Sequence, residues 1–229
     1  AEDRLMAVGV DIGLGRPTDR PITGWEEMFI PMKVRDRLRE VRVPDETGRL
    51  VPLVTSERVV FQAQREAERQ RTPGLALPLL ALGLLLGGAL WWLAGRARGG
   101  NRAARVVLVT SVVLWLFVAG KLGAAILFLR TMTQHVAAYD NTNMFVYNPI
   151  WLLVLLVLLF ARGSASARQA GRFLSVTAGA LTLFGLVAAF LPGFSQDSLA
   201  VMLLAAPANL VVAWIVREYL AEPVPASPA

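Results

Sequence analysis

Three observations predict a mainly α-helical fold, an integral membrane bundle of about five transmembrane helices preceded by a small α+β soluble segment. First, 55% of the 229 residues are hydrophobic and 17% charged, with a mean hydropathy of +0.52. Soluble domains sit nearer ~45–50% apolar and ~25% charged. Second, the chain up to Thr72 has the texture of a soluble protein, whereas nearly everything after Pro73 reads as lipid-facing. Third, the Lys and Arg residues beyond Pro73 gather in short clusters between apolar runs, the pattern that orients membrane helices.

The third observation also decides what the charge means. A net charge of +6 and a pI near 10.7 would suit nucleic acid if the basic residues formed one face or tract. They are dispersed between apolar runs, which excludes that class and leaves membrane lipids as the expected partners. Cysteine is absent, so these residues contain no disulfide, thiolate metal site or Cys nucleophile. The sequence holds no phosphate loop, no metal-spaced His or Asp cluster and no Ser-His-Asp arrangement, and neither a metal nor a cofactor is expected.

Residues 1–72 are expected to be the C-terminal remnant of a periplasmic domain with its linker. The chain opens at Ala1 with neither an initiator Met nor a secretory signal, so the signal and an upstream domain are expected outside it. Glu2 to Val10 has a short helical pattern, and Gly9-Val10-Asp11-Ile12-Gly13-Leu14-Gly15 reads as a turn, because it lacks the strand-to-helix context of a dinucleotide site. After a loop from Gly13 to Thr23, Thr23-Gly24-Trp25-Glu26 matches a capping box. Pro31 interrupts that run, and Met32 to about Arg39 forms a second amphipathic helix with Val34 and Leu38 on one side. Glu40 to Val43 and Leu50 to Val54 flank a turn-like Pro44 to Gly48 and read as a hairpin, with Pro52 confining the second strand to an edge. So small a segment buries little apolar surface and is expected to dock on another domain. Gln62 to Arg71 reads as a linker or the juxtamembrane start of a helix.

Residues 73–220 are expected to form the membrane domain, and 221–229 a disordered tail. The apolar runs are Leu75 to Gly95, Val106 to Leu129, Met144 to Ala161, Phe173 to Leu191 and Leu199 to Val216. Each approaches the ~20 residues a helix needs to cross a ~30 Å hydrocarbon core. The third run is short and interrupted at Asn148-Pro149, which suggests a tilted or partly interfacial helix. Arg96, Arg98, Arg102 and Arg105 lie between the first two runs, and Arg162, Arg168 and Arg172 between the third and fourth. Those loops should be cytoplasmic, which puts the N-terminal segment in the periplasm and the C-terminus in the cytoplasm of an inner-membrane protein. The basic stretch Arg65 to Arg71 argues the other way.

The polar loop after the second run carries His135, the single histidine, with Asp140, Asn141, Asn143, Asn148 and Pro149. A histidine within reach of a carboxylate is a candidate general acid or base. The asparagines are candidate substrate or lipid contacts, or equally the partners of loop backbone groups, with Asn148 an N-cap before Pro149. Lys121 lies inside the second run and either snorkels toward the external interface or, with Arg130, holds a lipid phosphate. Pro207 and Asn209 suggest a packing kink and a bond across helices, Gly83 and Gly87 a close helix contact, and Trp91 and Trp92 interface anchors.

Two stretches resemble a known family. Asp19-Arg20-Pro21-Ile22-Thr23-Gly24-Trp25-Glu26-Glu27-Met28-Phe29-Ile30-Pro31-Met32, with Arg35 to Arg39, resembles the end of the periplasmic domain of the bacterial Lnb-type lipoprotein N-acyltransferases. His135 through Asn141, Asn143, Asn148 and Pro149 resembles a signature in the membrane domain that follows it. The resemblance implies transfer of a fatty acyl chain to the N-terminal amine of lipid-modified proteins by a Cys nucleophile, which would lie upstream of this chain. It implies lipoproteins as further partners. A non-enzymatic anchor or scaffold for a periplasmic domain is the rival reading.

Overall fold

The computed structural model describes residues 2–61, 74–161, 164–194 and 196–221. The stretch Gln62 to Arg71, Arg162 and the tail from residue 222 onward lie outside the described residues. The chain separates into two compact units, one of residues 1–19 with 73–229 and one of residues 20–72.

The smaller unit contains α2 (Gly24–Glu27), α3 (Pro31–Glu40) and the strands β1 (Arg42–Pro44) and β2 (Leu50–Pro52). The capping box forms as the sequence predicts: the Thr23 hydroxyl accepts from the Glu26 N–H, and the Glu26 carboxylate accepts from the Thr23 N–H at 2.8 Å. Pro31 does not simply break a run but opens α3 at its first turn, where its missing N–H is no loss. The strands pair antiparallel with Val43 opposite Val51, and the Asp45 carboxylate closes the turn by accepting from the N–H groups of Thr47 and Arg49. None of this unit's described residues is buried; ion pairs such as Arg39 to Glu57 at 2.6 Å tie its surface together instead.

The larger unit begins with α1 (Glu2–Gly13), which takes in Gly9 to Gly13 of the stretch read as a turn, so that only Leu14 and Gly15 leave the helix. A glycine inside a helix costs about 1 kcal/mol relative to alanine but does not end it. Its membrane helices are α4 (Ala76–Arg98), α5 (Arg102–Met132), α6 (Ile150–Phe160), α7 (Ala165–Ala188) and α8 (Leu199–Ala221). Five segments are long and apolar enough to cross a membrane, the third spanning Thr142–Phe160, and the chain is a multi-pass membrane protein.

Half of the most apolar window of α8 is buried (50%) against 17% for α4, so α8 is the central helix and α4 faces lipid. α8 packs on α4 and α7, and α6 on α7 and α5. The α4–α8 contact depends on glycine: a Cβ at Gly83 would lie 2.6 Å from the Leu203 carbonyl oxygen, and one at Gly87 3.1 Å from that of Pro207. Leu203 O is the acceptor that Pro207, lacking an N–H, leaves free, so the interruption of α8 sits against the smooth face of α4. At the arginine-rich end Trp91 stacks on Trp214 at 4.6 Å, with Arg98 over Trp214 and Arg96 over Trp92.

The third span departs from a continuous helix. α6 has only 11 residues, about 16 Å of rise against a ~30 Å core. The rest is a 3-10 turn at Thr142–Phe145 and an irregular stretch to Pro149. Irregular backbone at membrane depth is tolerated when protein surrounds it. Here a Cβ at Gly123 of α5 would stand 2.5 Å from Asn148 Cα, and one at Gly185 of α7 2.8 Å from Phe145 Cβ, so both helices thin out to admit the segment. Tyr147 donates to the Val201 carbonyl at 3.0 Å, and Phe145 meets Phe184 edge-on at 4.9 Å.

Candidate functional site

The loop between α5 and α6 joins α1 at one end of the bundle through a set of side-chain hydrogen bonds. The last carbonyls of any α-helix lack intrahelical donors. In α1 the Asn143 amide donates to the Asp11 carbonyl at 2.6 Å, and the Asn141 amide to that of Ile12 at 2.9 Å. Gln196, from the loop before α8, donates to Leu14 O at 2.8 Å and accepts from the Thr142 N–H at 2.9 Å. The Gly15 N–H donates to Ala137 O at 2.7 Å, and a Cβ on Gly15 would collide with the Tyr139 carbonyl. Arg16 pairs with Asp140 at 3.6 Å and donates to Gly193 O, while Asp19 accepts from the Asp197 N–H at 2.9 Å. Asp140 holds a left-handed backbone, φ 51°, a conformation aspartate adopts more readily than most residues.

Asn141, Asn143 and Asn148 are therefore buried and brought together on the loop, as bonding partners of backbone. Asn148 does not cap α6. Pro149 occupies the cap position, the Asn148 amide donates instead to Phe145 O at 3.2 Å, and its Oδ1 accepts nothing, because the chain enters the helix from a turn rather than an extended strand. Asn143 Oδ1 and Ser198 Oγ are likewise buried without a partner among the described residues. Each such group costs about 1–3 kcal/mol unless a water or ligand meets it.

His135 is exposed at the N-terminal side of another 3-10 turn, Val136–Ala138. Its backbone N–H donates to Thr133 Oγ1 at 3.3 Å, and no ion pair joins its side chain to a carboxylate among the described residues, where Asp140 pairs with Arg16. With Leu129, Ala137 and Ala138 its side chain lines a groove of about 550 Å3, whose other wall is Met6, Gly9, Val10, Gly13 and Leu14 of α1 and its exit.

Lys121 and Arg130 are not brought together. Nine residues on one helix advance about 14 Å and half a revolution, so the two face opposite sides of α5. The Lys121 ammonium lies 5.6 Å from the Phe117 ring, one turn toward the start of α5, rather than lifting toward the loop end. No cluster of three or more His, Asp or Glu side chains suited to a metal occurs among the described residues.

Asp11, Asp19, Asp197, Arg16 and Gln196 carry much of this assembly and escape a reading of the sequence. Their partners lie far along the chain, and the only local signal is the concentration of polar residues in two loops otherwise flanked by apolar runs. The Asp11 carboxyl is held above the ordinary carboxylate range, by burial first and then by the nearby charges of Asp197 and Asp19.

A five-helix membrane bundle whose third span is half irregular, with a polar loop fastened to an amphipathic helix, defines a multi-pass membrane protein of distinctive architecture. The family described as the Lnb transmembrane domain matches residues 75–219, and the chain belongs to that family. No curated protein and no solved structure gives a significant match.

Proposed function

We propose that this chain is the membrane half of a lipoprotein N-acyltransferase-like protein of the bacterial inner membrane, with the α1 and His135 loop end on the periplasmic side and the C-terminus cytoplasmic. The observation that carries the reading is the family match over residues 75–219, which contains the whole loop from His135 to Pro149. An acyl donor resides in the bilayer, so its transferase needs polar groups at headgroup level beside an apolar path. In balanced form the donor ester passes its acyl group to a thiol and releases an alcohol; the acceptor amine then attacks the thioester, its lost proton going to a base and the thiolate leaving. With no Cys in these residues, the thiol comes from elsewhere in the protein. His135, exposed at the groove, supports the role of proton acceptor from the amine.

The scaffold reading is supported by Asn141, Asn143 and Asn148, whose amides are all spent on backbone carbonyls. The two readings separate in cells producing the protein with His135→Ala at matched membrane abundance, read by mass spectrometry of lipoprotein N-termini. Loss of a general base predicts a fall of roughly 10²-fold or more in the rate of N-acylation. Unchanged acylation would leave this half an anchor.

A further inference from the structure

We infer that the groove between α1 and the His135 loop holds one acyl chain of a bilayer phospholipid. The inference starts from two glycines. Gly9 and Gly13 stand four residues apart on one face of α1, and a Cβ at either would meet nothing within 4 Å. Helical glycines are costly, and here no neighbour within the chain requires them, unlike Gly83 or Gly123. What they do is keep open the wall that faces Leu129, Ala137 and Ala138, giving an open groove of about 550 Å3. That is the size range of small-ligand sites, ~300–1,000 Å3.

The lining selects the occupant. Apart from His135 every side chain lining the groove is apolar or absent. A peptide would bury amide groups there without partners, whereas a hydrocarbon chain needs none. The groove also borders exposed apolar surface: Leu129 belongs to the membrane helix α5, Met6 and Val10 of the wall are exposed at 69% and 46%, and Phe128, Met132 and Val136, close in sequence to lining residues, at 58%, 73% and 65%. An acyl chain of the adjacent leaflet would reach the groove along that surface without crossing water, and His135, the single polar residue of the lining, is the place for its ester end. The inference rests on the proposed acyl transfer only for the fate of the chain, not for its binding.

The test places the full protein in vesicles of phosphatidylethanolamine and phosphatidylglycerol doped with a phospholipid carrying a diazirine in its acyl chain, and maps crosslinks by peptide mass spectrometry. Labelling of Met6, Val10 or Leu14 is expected, falling roughly tenfold in Gly9→Leu, as ~1.4 kcal/mol of lost affinity gives. Ala137→Phe fills the groove from its other wall and should reduce labelling in the same way even if Gly9→Leu disturbs α1. Gly88→Leu, also in open space but on α4, should leave it unchanged. Labelling confined to α4–α8 and missing Leu129, or groove labelling indifferent to both filling variants, would overturn the inference. Groove labelling with normal N-acylation in His135→Ala would instead defeat the proposed function while the lipid site stands; loss of acylation in that variant without groove labelling would do the reverse.

Discussion

Asn209 is fully buried in α8 and joins three elements: its amide donates to Val146 O at 2.9 Å and Thr182 Oγ1 at 3.1 Å, and its carbonyl accepts from the Trp115 indole at 2.8 Å. Asn209→Leu removes one member and strands the others in a dry environment, so it is expected to destabilise the bundle by about 1–3 kcal/mol, measurable by unfolding in mixed micelles. Asp11 acts in the other direction. Its carboxyl binds protons more tightly in the folded state than in the unfolded one, so this residue's contribution favours folding least once it is ionised in both. Asp11→Asn should therefore tighten the docking of α1 at neutral pH, seen as slower amide exchange in residues 6–13. The gain should vanish as pH falls through the raised folded-state pKa toward the ordinary carboxylate value. Stability of α1 in the parent that did not rise on acidification through that window would refute the assignment. At this scale the sequence shows which asparagines are unusual but not what they bond, because Asn143 and Asp11 are neighbours only after folding.

Helix contacts repeat the same logic with backbone in place of side chains. Gly83 and Gly88 lie five residues apart on α4, on different faces of the helix: a Cβ at Gly83 would approach the Leu203 and Leu204 carbonyls at 2.6 and 2.5 Å, while one at Gly88 meets nothing within 4 Å. Gly83→Ala is expected to push α4 from α8 at a cost of about 1–3 kcal/mol. Gly88→Ala should be neutral or gain up to ~1 kcal/mol of helix propensity. Equal effects in the two variants, followed by thermal unfolding in detergent, would show that α4 does not pack through its Gly83 face. The small-xxx-small spacing of Gly83 and Gly87 made this contact legible in the sequence, since periodicity on a helix reports a face directly. The third span was only half legible. Its hydropathy announced a crossing and Asn148-Pro149 an interruption, but the inward folding of Thr142 to Pro149 depends on space left by Gly123 and Gly185 in other helices. No local pattern encodes that space.

For the molecule as a whole, the distribution of arginine makes the strongest prediction. α4 ends and α5 begins with Arg96, Arg98, Arg102 and Arg105, α7 begins with Arg168 and Arg172, and Arg217 lies in the last turns of α8. Alternation of consecutive spans puts all of these at one end of the bundle, while the loop with His135 and Asp140 and the turn with Gln196 share the other. The charge excess predicts that the arginine end is cytoplasmic, and the Arg–Trp pairs at Trp92 and Trp214 suit an interface where the ring sits at headgroup level and the guanidinium beyond it. A thiol-reactive, membrane-impermeant reagent reads this when labelled peptides are mapped by mass spectrometry, because residues 1–229 contain no cysteine and any label found in them reports the introduced one. In intact cells stripped of their outer membrane, a cysteine at Asp197 should react and one at Arg102 should not; disruption of the membrane should equalise them. The same accessibility at both positions in intact cells would contradict five crossings, and the reversed pattern would keep the crossings but turn the His135 groove toward the cytoplasm. In that orientation a role on periplasmic lipoproteins is physically impossible.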